Sequence, residues 1–470
     1  MESTAGAVGF VNDELSFYNL SAGATQTSKS YKDRYALLSQ MGRINYSFDS
    51  RYLFTVTGRR DGSSVFGANT SKYGFFPSAA FGWNVSNESF MKSVSWVDNL
   101  KLRLSHGKSG NEAIDVYKTI TTSNTNRFPF NGISTIGTGA GNLGNTNLLW
   151  ETSINTNLGI DFSVLGGRIS GTLDAYKTNT SDLLLERALP IITGYGSVFD
   201  NLGKTANRGV ELTLNTRNIQ NQDFKWESTI VFAANKNEIK ELYGDGQDDL
   251  GNRWFLGQPI QVVYDYRKIG IWQEGEDFST LDPGAKAGHV KFADLNNDGV
   301  ITPEGDREII GQRAPKWTGG FTNTFHYKNW HLNVFIQTVQ GVTRNNPDIA
   351  YGDQAGNRNT PREIGYWTPE NQSNEWASLE YRNTRGYGFA QNASFTRIKD
   401  ATLSYVFNPK ALEKLKLSGL TLYVSGRNLY TFTDWIGWDP ETVHDTRGSG
   451  NWVNNYPLTR SFVFGVNISL

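Results

Sequence analysis

The sequence predicts an all-β protein whose strands cross a membrane as the wall of an antiparallel barrel. Three observations predict it. Residues 459–470, TRSFVFGVNISL, place Phe462, Phe464, Val466, Ile468 and Leu470 on one face and Ser461, Gly465, Asn467 and Ser469 on the other, with Val463 the only apolar intruder. Successive side chains of a strand point to opposite faces, so this segment has one oily and one wet side. Connections between such segments alternate between short and long, the pattern of periplasmic turns and extracellular loops. Finally, the 470 residues are 38% apolar and 13% aromatic with 49 glycines. They contain no stretch of about 18 apolar residues, which excludes helical spans.

Thirteen strands are read in order, at 36–48, 51–61, 73–86, 97–106, 152–165, 168–178, 208–217, 223–235, 316–328, 330–342, 393–407, 419–430 and 459–470. Each rests on alternation. Tyr52, Phe54 and Val56 oppose Leu53, Thr55 and Thr57, and Ile154, Leu158, Ile160, Phe162 and Val164 oppose Asn155, Asn157, Asp161 and Ser163. Ile169, Leu173 and Ala175 oppose Ser170, Thr172 and Asp174, and Val210, Leu212 and Leu214 oppose Glu211, Thr213, Asn215 and Arg217. Trp330, Leu332, Val334 and Ile336 oppose His331, Asn333 and Gln337. Charged and amide side chains inside strands are awkward in a sandwich core and natural on a wetted lumen. Short links fall near 49–50, 166–167, 218–222 and 328–329, with longer ones near 87–96 and 408–418. Long loops occupy 107–150, 179–207, 236–315, 343–392 and 431–458, a length that is often functional. Residues 1–35 read as an extracellular loop or the remnant of a preceding strand, and 36–470 as the C-terminal part of a barrel. Single-chain bacterial barrels have even strand counts, so the odd count leads us to expect further strands upstream; a strand at 8–18 is the alternative.

A net charge of −1 gives no sign of a nucleic-acid partner. The absence of Cys excludes a disulfide, a thiolate nucleophile and a Cys-based zinc site. Residues 1–20 hold no basic segment followed by an apolar stretch, so no signal peptide is read there, which points to a fragment or a mis-called start.

Six segments resemble the SusC/RagA family of TonB-linked outer-membrane transporters. They are YLFTVTGRRDGSSVFG at 52–67 followed by KYGFFPSAAFGWNVSNESFM at 72–91, and LKLRLSHGKSGN at 100–111. Next come FADLNNDGVITPEGDREIIGQRAPKWTGGFTNTFHYKNWHLNVFIQ at 292–337, YWTPENQSNEWASL at 366–379 and ASFTRIKDATLSYVFNP at 393–409, then LYVSGRNLYTFTDWIGWDPE at 422–441. They keep the family's order from about residue 36 to the end. The resemblance implies a barrel of 22 strands with an N-terminal plug, in the outer membrane of a Gram-negative bacterium. It implies import of oligosaccharides, or peptides, with a SusD-like surface lipoprotein as lid and TonB as energy source. The chain departs from this pattern in showing about 13–14 strands, no plug and no TonB-contacting segment. It ends in Leu470 where the family usually ends in an aromatic residue. The reading is therefore the C-terminal barrel region of such a transporter, which by itself is not expected to transport.

Asp294-Leu-Asn296-Asn-Asp298-Gly-Val300 carries the strongest chemical signal. Oxygen ligands at positions 1, 3 and 5, a turn glycine at 6 and a carbonyl at 7 form the first half of an EF-hand-like calcium loop. Position 12 is Gly305, and Asp306 closes the site if the loop carries one extra residue. A metal-free Asp/Asn/Gly turn is the competing reading. Calcium here stiffens a loop; no other cofactor is expected. Arg59-Arg60-Asp61-Gly62-Ser63-Ser64 reads as a rim salt bridge and turn, or as charges contacting plug or ligand. Tyr366, Trp367, Trp376, Tyr381, Tyr387, Trp435, Trp438, Trp452 and Tyr456 read as interfacial girdle or lid contact before direct sugar stacking. His106, His289, His326, His331 and His444 form no zinc motif, and His326 and His331 would face opposite sides of one continuous strand. Gly137-Thr-Gly139-Ala-Gly141 lacks the Lys and helix of a phosphate cradle. No Ser/His/Asp set has recognisable context, so an enzyme is not expected. The rivals are a self-contained passive pore, which the strand count discriminates, and a soluble calcium-binding β-rich lectin, which does not predict apolar bands on strand after strand as a wall in contact with outer-membrane lipid does.

Overall fold

In a computed structural model, which describes residues 2–12, 14, 18–67, 69–130, 132–350, 364–413, 416–441 and 457–470, thirteen strands form one antiparallel sheet. They are β1 Leu37–Phe48, β2 Tyr52–Ser63, β3 Tyr73–Asn84, β4 Val97–Asn111, β5 Glu151–Val164, β6 Ile169–Ser181 and β7 Lys204–Gln220. There follow β8 Phe224–Glu241, β9 Trp317–Tyr327, β10 Trp330–Gln340, β11 Phe395–Val406, β12 Gly419–Thr433 and β13 Ser461–Ser469. Each pairs with its neighbours in chain order, and β1 and β13 are the two edges. All thirteen read from the alternation are present. The segment 8–18 supplies no wall strand among the described residues; instead Glu2–Val8 pairs with Thr25–Tyr31 in a separate hairpin.

Register turns the alternation into two faces. Leu104, Leu158, Ala175, Val210 and Ala234 are successive cross-strand partners, and so are Leu102, Ile160, Leu173, Leu212 and Phe232. The other face carries Lys101, Asp161, Thr172 and Thr213 in the same way. The Phe462–Phe464–Val466–Ile468 face of β13 is exposed throughout.

The turns at one end are tight for local reasons. Between β1 and β2, Asp49 and Ser50 both have φ near +50° and Arg51 N–H donates to Phe48 O, a mirror-image turn that matches strand twist. At the opposite end the strands run on beyond the apolar pattern: β4 reaches Asn111, β6 Ser181 and β8 Glu241. Backbone pairing needs no apolar side chain, so a reading based on apolar alternation stops these strands early. Asp61-Gly62 is likewise strand rather than turn, because β2 continues to Ser63 in register with Leu37 and the β1 backbone.

The long loops are folded. Ser123–Phe130 pairs with Ile133–Ala140, Leu184–Ala188 with Ser197–Asn201, Val262–Tyr266 with Arg307–Gln312, Lys268–Ile271 with Val290–Phe292, and Thr343–Asn345 with Ala390–Asn392. Tyr266, Ile271, Val290, Phe292, Ile301, Trp367, Tyr381, Tyr387 and Phe389 form one buried core shared by the segments after β8 and β10. A smaller cluster of Val65, Phe66, Phe76, Leu148 and Trp150 packs the loop after β2 against the one after β4.

Candidate functional site

The polar face is built from charges that satisfy each other across strands. Arg103 on β4 reaches over β5 to β6. Its Nε donates to Asp161 at 2.9–3.0 Å, and its terminal nitrogens donate to both oxygens of Asp174 at 2.9 Å. Asn157 Nδ2 also donates to Asp174 at 2.8 Å. The guanidinium passes over Gly159, where an added Cβ would lie 2.5 Å from Asp174 Oδ1 and 2.6 Å from Arg103 Cζ. Glycine at this strand position is therefore a clearance requirement.

Nearer the loops, Arg59 Nε donates to Asp61 at 2.6 Å, its Nη2 donates to Ser39 at 3.0 Å, and Arg43 Nε donates to Thr57 at 3.1 Å. Arg43, Thr57, Arg59 and Asp61 line a cleft of about 590 Å³ with Phe76, Asn111, Glu112 and Trp150. The neighbouring Arg60 points the other way, over the Tyr73 ring at 4.0 Å. Arg59 and Asp61 thus form the ion pair of the first reading, without its turn, and they border this cleft.

Arg397 on β11 is the charged side chain that sequence reasoning missed. It is 1% exposed, donates twice to Asp439 at 2.9 and 3.0 Å, to Glu441 at 2.7 Å and to Thr431 at 2.8 Å. It ties the wall to the segment following β12. The signal was an Arg inside TRIKD with two carboxylates downstream in DWIGWDPE, but they lie 42 and 44 residues away.

Of the aromatic loop residues, Trp367, Tyr381, Tyr387 and Trp435 are buried. They hold the loops together rather than forming a girdle or a surface for a lid, because the paired hairpins supply enough backbone bonding for a core to close. Trp376 packs against that core, Tyr366 and Trp438 stay exposed, and Trp452 and Tyr456 lie outside the described residues. Burial drives the Tyr387 hydroxyl upward and, with Lys286 nearby, holds the His289 imidazole below its ordinary range. Beside β8, burial and then a 2.5 Å hydrogen bond to Asp249 push the Tyr243 hydroxyl up to about 12.

His326 and His331 are brought together, contrary to the expectation from one continuous strand. The chain turns at Lys328 and Asn329, so they become cross-strand partners with perpendicular rings 4.4 Å apart. His106 is exposed on the apolar side of β4, and His444 lies outside the described residues.

The calcium-like segment is a tight turn with Asn297 and Gly299 at positive φ. Asp294 accepts Gly299 N–H at 2.9 Å, and Asp298 accepts Val300 N–H at 2.9 Å and an Asn296 amide hydrogen at 2.8 Å. Asp306 is fully buried and accepts Leu295 N–H at 2.8 Å and Thr302 N–H at 2.6 Å, which closes the loop. Asp294 Oδ1 is shielded from solvent with no hydrogen-bond partner. Among the described residues no group of three or more His, Asp or Glu side chains is poised for a metal. Gly137 and Gly139 lie in the Ile133–Ala140 strand, away from any helix N-terminus.

A family model described as TonB dependent receptor-like, beta-barrel matches residues 3–429. A TonB-dependent receptor of Formosa agariphila is 36% identical over 493 aligned positions, covering 99% of this chain and 48% of that protein. The TonB-dependent receptor SusC of Bacteroides thetaiotaomicron is 31% identical over 460 positions, covering 93% and 44%. The structure of the RagAB peptide transporter superposes with a TM-score of 0.81 at 26% identity, covering 99% of this chain and 51% of that one. The chain thus spans about half the length of the curated relatives it matches.

Proposed function

Since the chain belongs to the TonB-dependent receptor-like β-barrel family and is an outer-membrane protein, we propose that it forms barrel wall and outer loops of a transporter importing oligosaccharides or peptides. The observation that carries this is the pairing of a lipid-compatible apolar face with a self-paired polar face beneath loops that have their own core. The polar face lines the passage, and the cleft at Arg43, Arg59 and Glu112 supplies donors and acceptors for a sugar or a peptide backbone. A SusD-like lipoprotein covers the loops, and TonB supplies energy. Similarity over nearly all of this chain to SusC, a TonB-dependent receptor, and to the RagAB peptide transporter supports the reading, the latter favouring peptides among the two classes. The test is uptake by a strain lacking the gene, given labelled oligosaccharide and peptide pools separately. Loss of one pool, restored by the gene, is expected; unchanged uptake of both sinks the proposal.

In the same reading the Asp294–Asp298 turn takes a calcium ion through Asp294, Asn296, Asp298 and the Val300 carbonyl, while Asp306 stays with the backbone. The unpaired, shielded Asp294 Oδ1 supports it. Calcium would stiffen the loop without chemistry. Thermal unfolding in calcium should occur above that in chelator, and Asp294→Asn should erase the difference; equal midpoints for the unaltered protein reject the metal.

A further inference from the structure

On the apolar side of the wall, register sets basic residues on adjacent strands. Lys177 of β6 is the partner of Arg208 of β7, which is the partner of Lys236 of β8, and the same row continues through Thr156 to His106. All are exposed. Neighbouring strands are about 4.8 Å apart, and like charges directly opposite each other destabilise a sheet. Among the described residues none of the three cations has a carboxylate within ion-pair distance. Glu238, two residues beyond Lys236 on this side, holds Lys240 at 2.6 Å and attracts Lys236 and Arg208 at longer range. One position further out lie Lys108, Ile154, Asn179 and Ala206.

The row adjoins the apolar band. Toward the short turns, the next partners are Leu104, Leu158, Ala175, Val210 and Ala234. From Ile169 at the turn to Lys177 the strand climbs roughly 27 Å, or about 20 Å along the membrane normal at ordinary barrel tilt. That is close to the height of a barrel's apolar band, about 25 Å, and puts the three cations at the headgroup level on the long-loop side.

We propose that Lys177, Arg208 and Lys236 bind the phosphate of an anionic lipid in the outer leaflet, with its acyl chains along Leu158, Ala175 and Val210. Charge complementarity and continuity with the apolar band favour a lipid over a soluble anion. The inference rests on the membrane reading above.

Native mass spectrometry of the detergent-purified protein tests it, using diphosphorylated lipid A, its dephosphorylated counterpart and inorganic phosphate as probes. Retention of the phosphorylated lipid alone is expected. It should weaken at least about tenfold in K177N/R208N/K236N, persist in K177R/K236R, and persist in K410N/K416N at the short-turn end. Equal retention of the dephosphorylated lipid, unchanged binding by the triple variant, or displacement by inorganic phosphate overturns the assignment. Failure of the membrane reading looks different: the protein would remain monodisperse without detergent.

Discussion

Arg397 shows what one side chain does when three acidic and hydroxyl partners converge on it. A buried guanidinium is tolerable only if its donors are used, and here they reach Asp439, Glu441 and Thr431. Arg397→Ala strands the buried Asp439 and should cost about 3–5 kcal/mol of local stability. Hydrogen exchange in residues 434–441 should accelerate accordingly, and pairing the change with Asp439→Ala should recover part of the loss; unchanged exchange would refute the clamp. Tyr243 makes a second, pH-dependent prediction. Its hydroxyl titrates above the ordinary tyrosine value of about 10, so its stabilisation is complete below that pH and disappears as pH rises toward about 12. Burial alone would raise Asp249, but hydrogen bonds from Tyr243 and from Asn252 hold it low, so its contribution is present at neutral pH and lost in acid. Tyr243→Phe should abolish the alkaline step and move the acid transition upward, as read by fluorescence-monitored pH unfolding. Neither residue announced itself in the sequence, because burial and distant partners create both effects.

At the scale of a strand, alternation decides which face a residue serves. Leu158 and Asn157 are adjacent, yet Leu158 is exposed on the apolar side while Asn157 donates to Asp174 on the polar side. Leu173→Arg, on that apolar side midway between the Ile169 turn and Lys177, should cost about 2–4 kcal/mol near the bilayer midplane, whereas Asn157→Arg stays in the wetted lumen. Comparing folding into vesicles checks this; equal losses would mean the faces are misassigned. Gly159, between Arg103 and Asp174, makes the complementary prediction. Gly159→Ala should displace the Arg103 ion pairs and cost about 1–3 kcal/mol, visible as a lower unfolding midpoint. All thirteen wall strands were legible because period-two alternation is a local property. Their outward ends at Asn111, Ser181 and Glu241 were not, since there the chain carries polar residues on both faces and only backbone pairing sustains the strand.

The whole molecule combines a wall that alternation specifies with loops that it does not. The sheet and its two faces, the order of short and long connections, and the family resemblance were all readable from residues near one another in sequence. The candidate site was legible only in outline: Arg59 and Asp61 were noticed as a rim pair, and the Asp294–Asp298 turn as a calcium-like loop. By itself, then, the sequence determined the strands, their oily and wet sides and the kind of membrane protein they build, because side-chain periodicity and turn chemistry act over a few residues. Only the tertiary structure decided that the loop aromatics make a core, that Arg397 finds Asp439, that His326 meets His331, and that Lys177, Arg208 and Lys236 stand in one row. These depend on register and on contacts between distant segments, which no local pattern encodes.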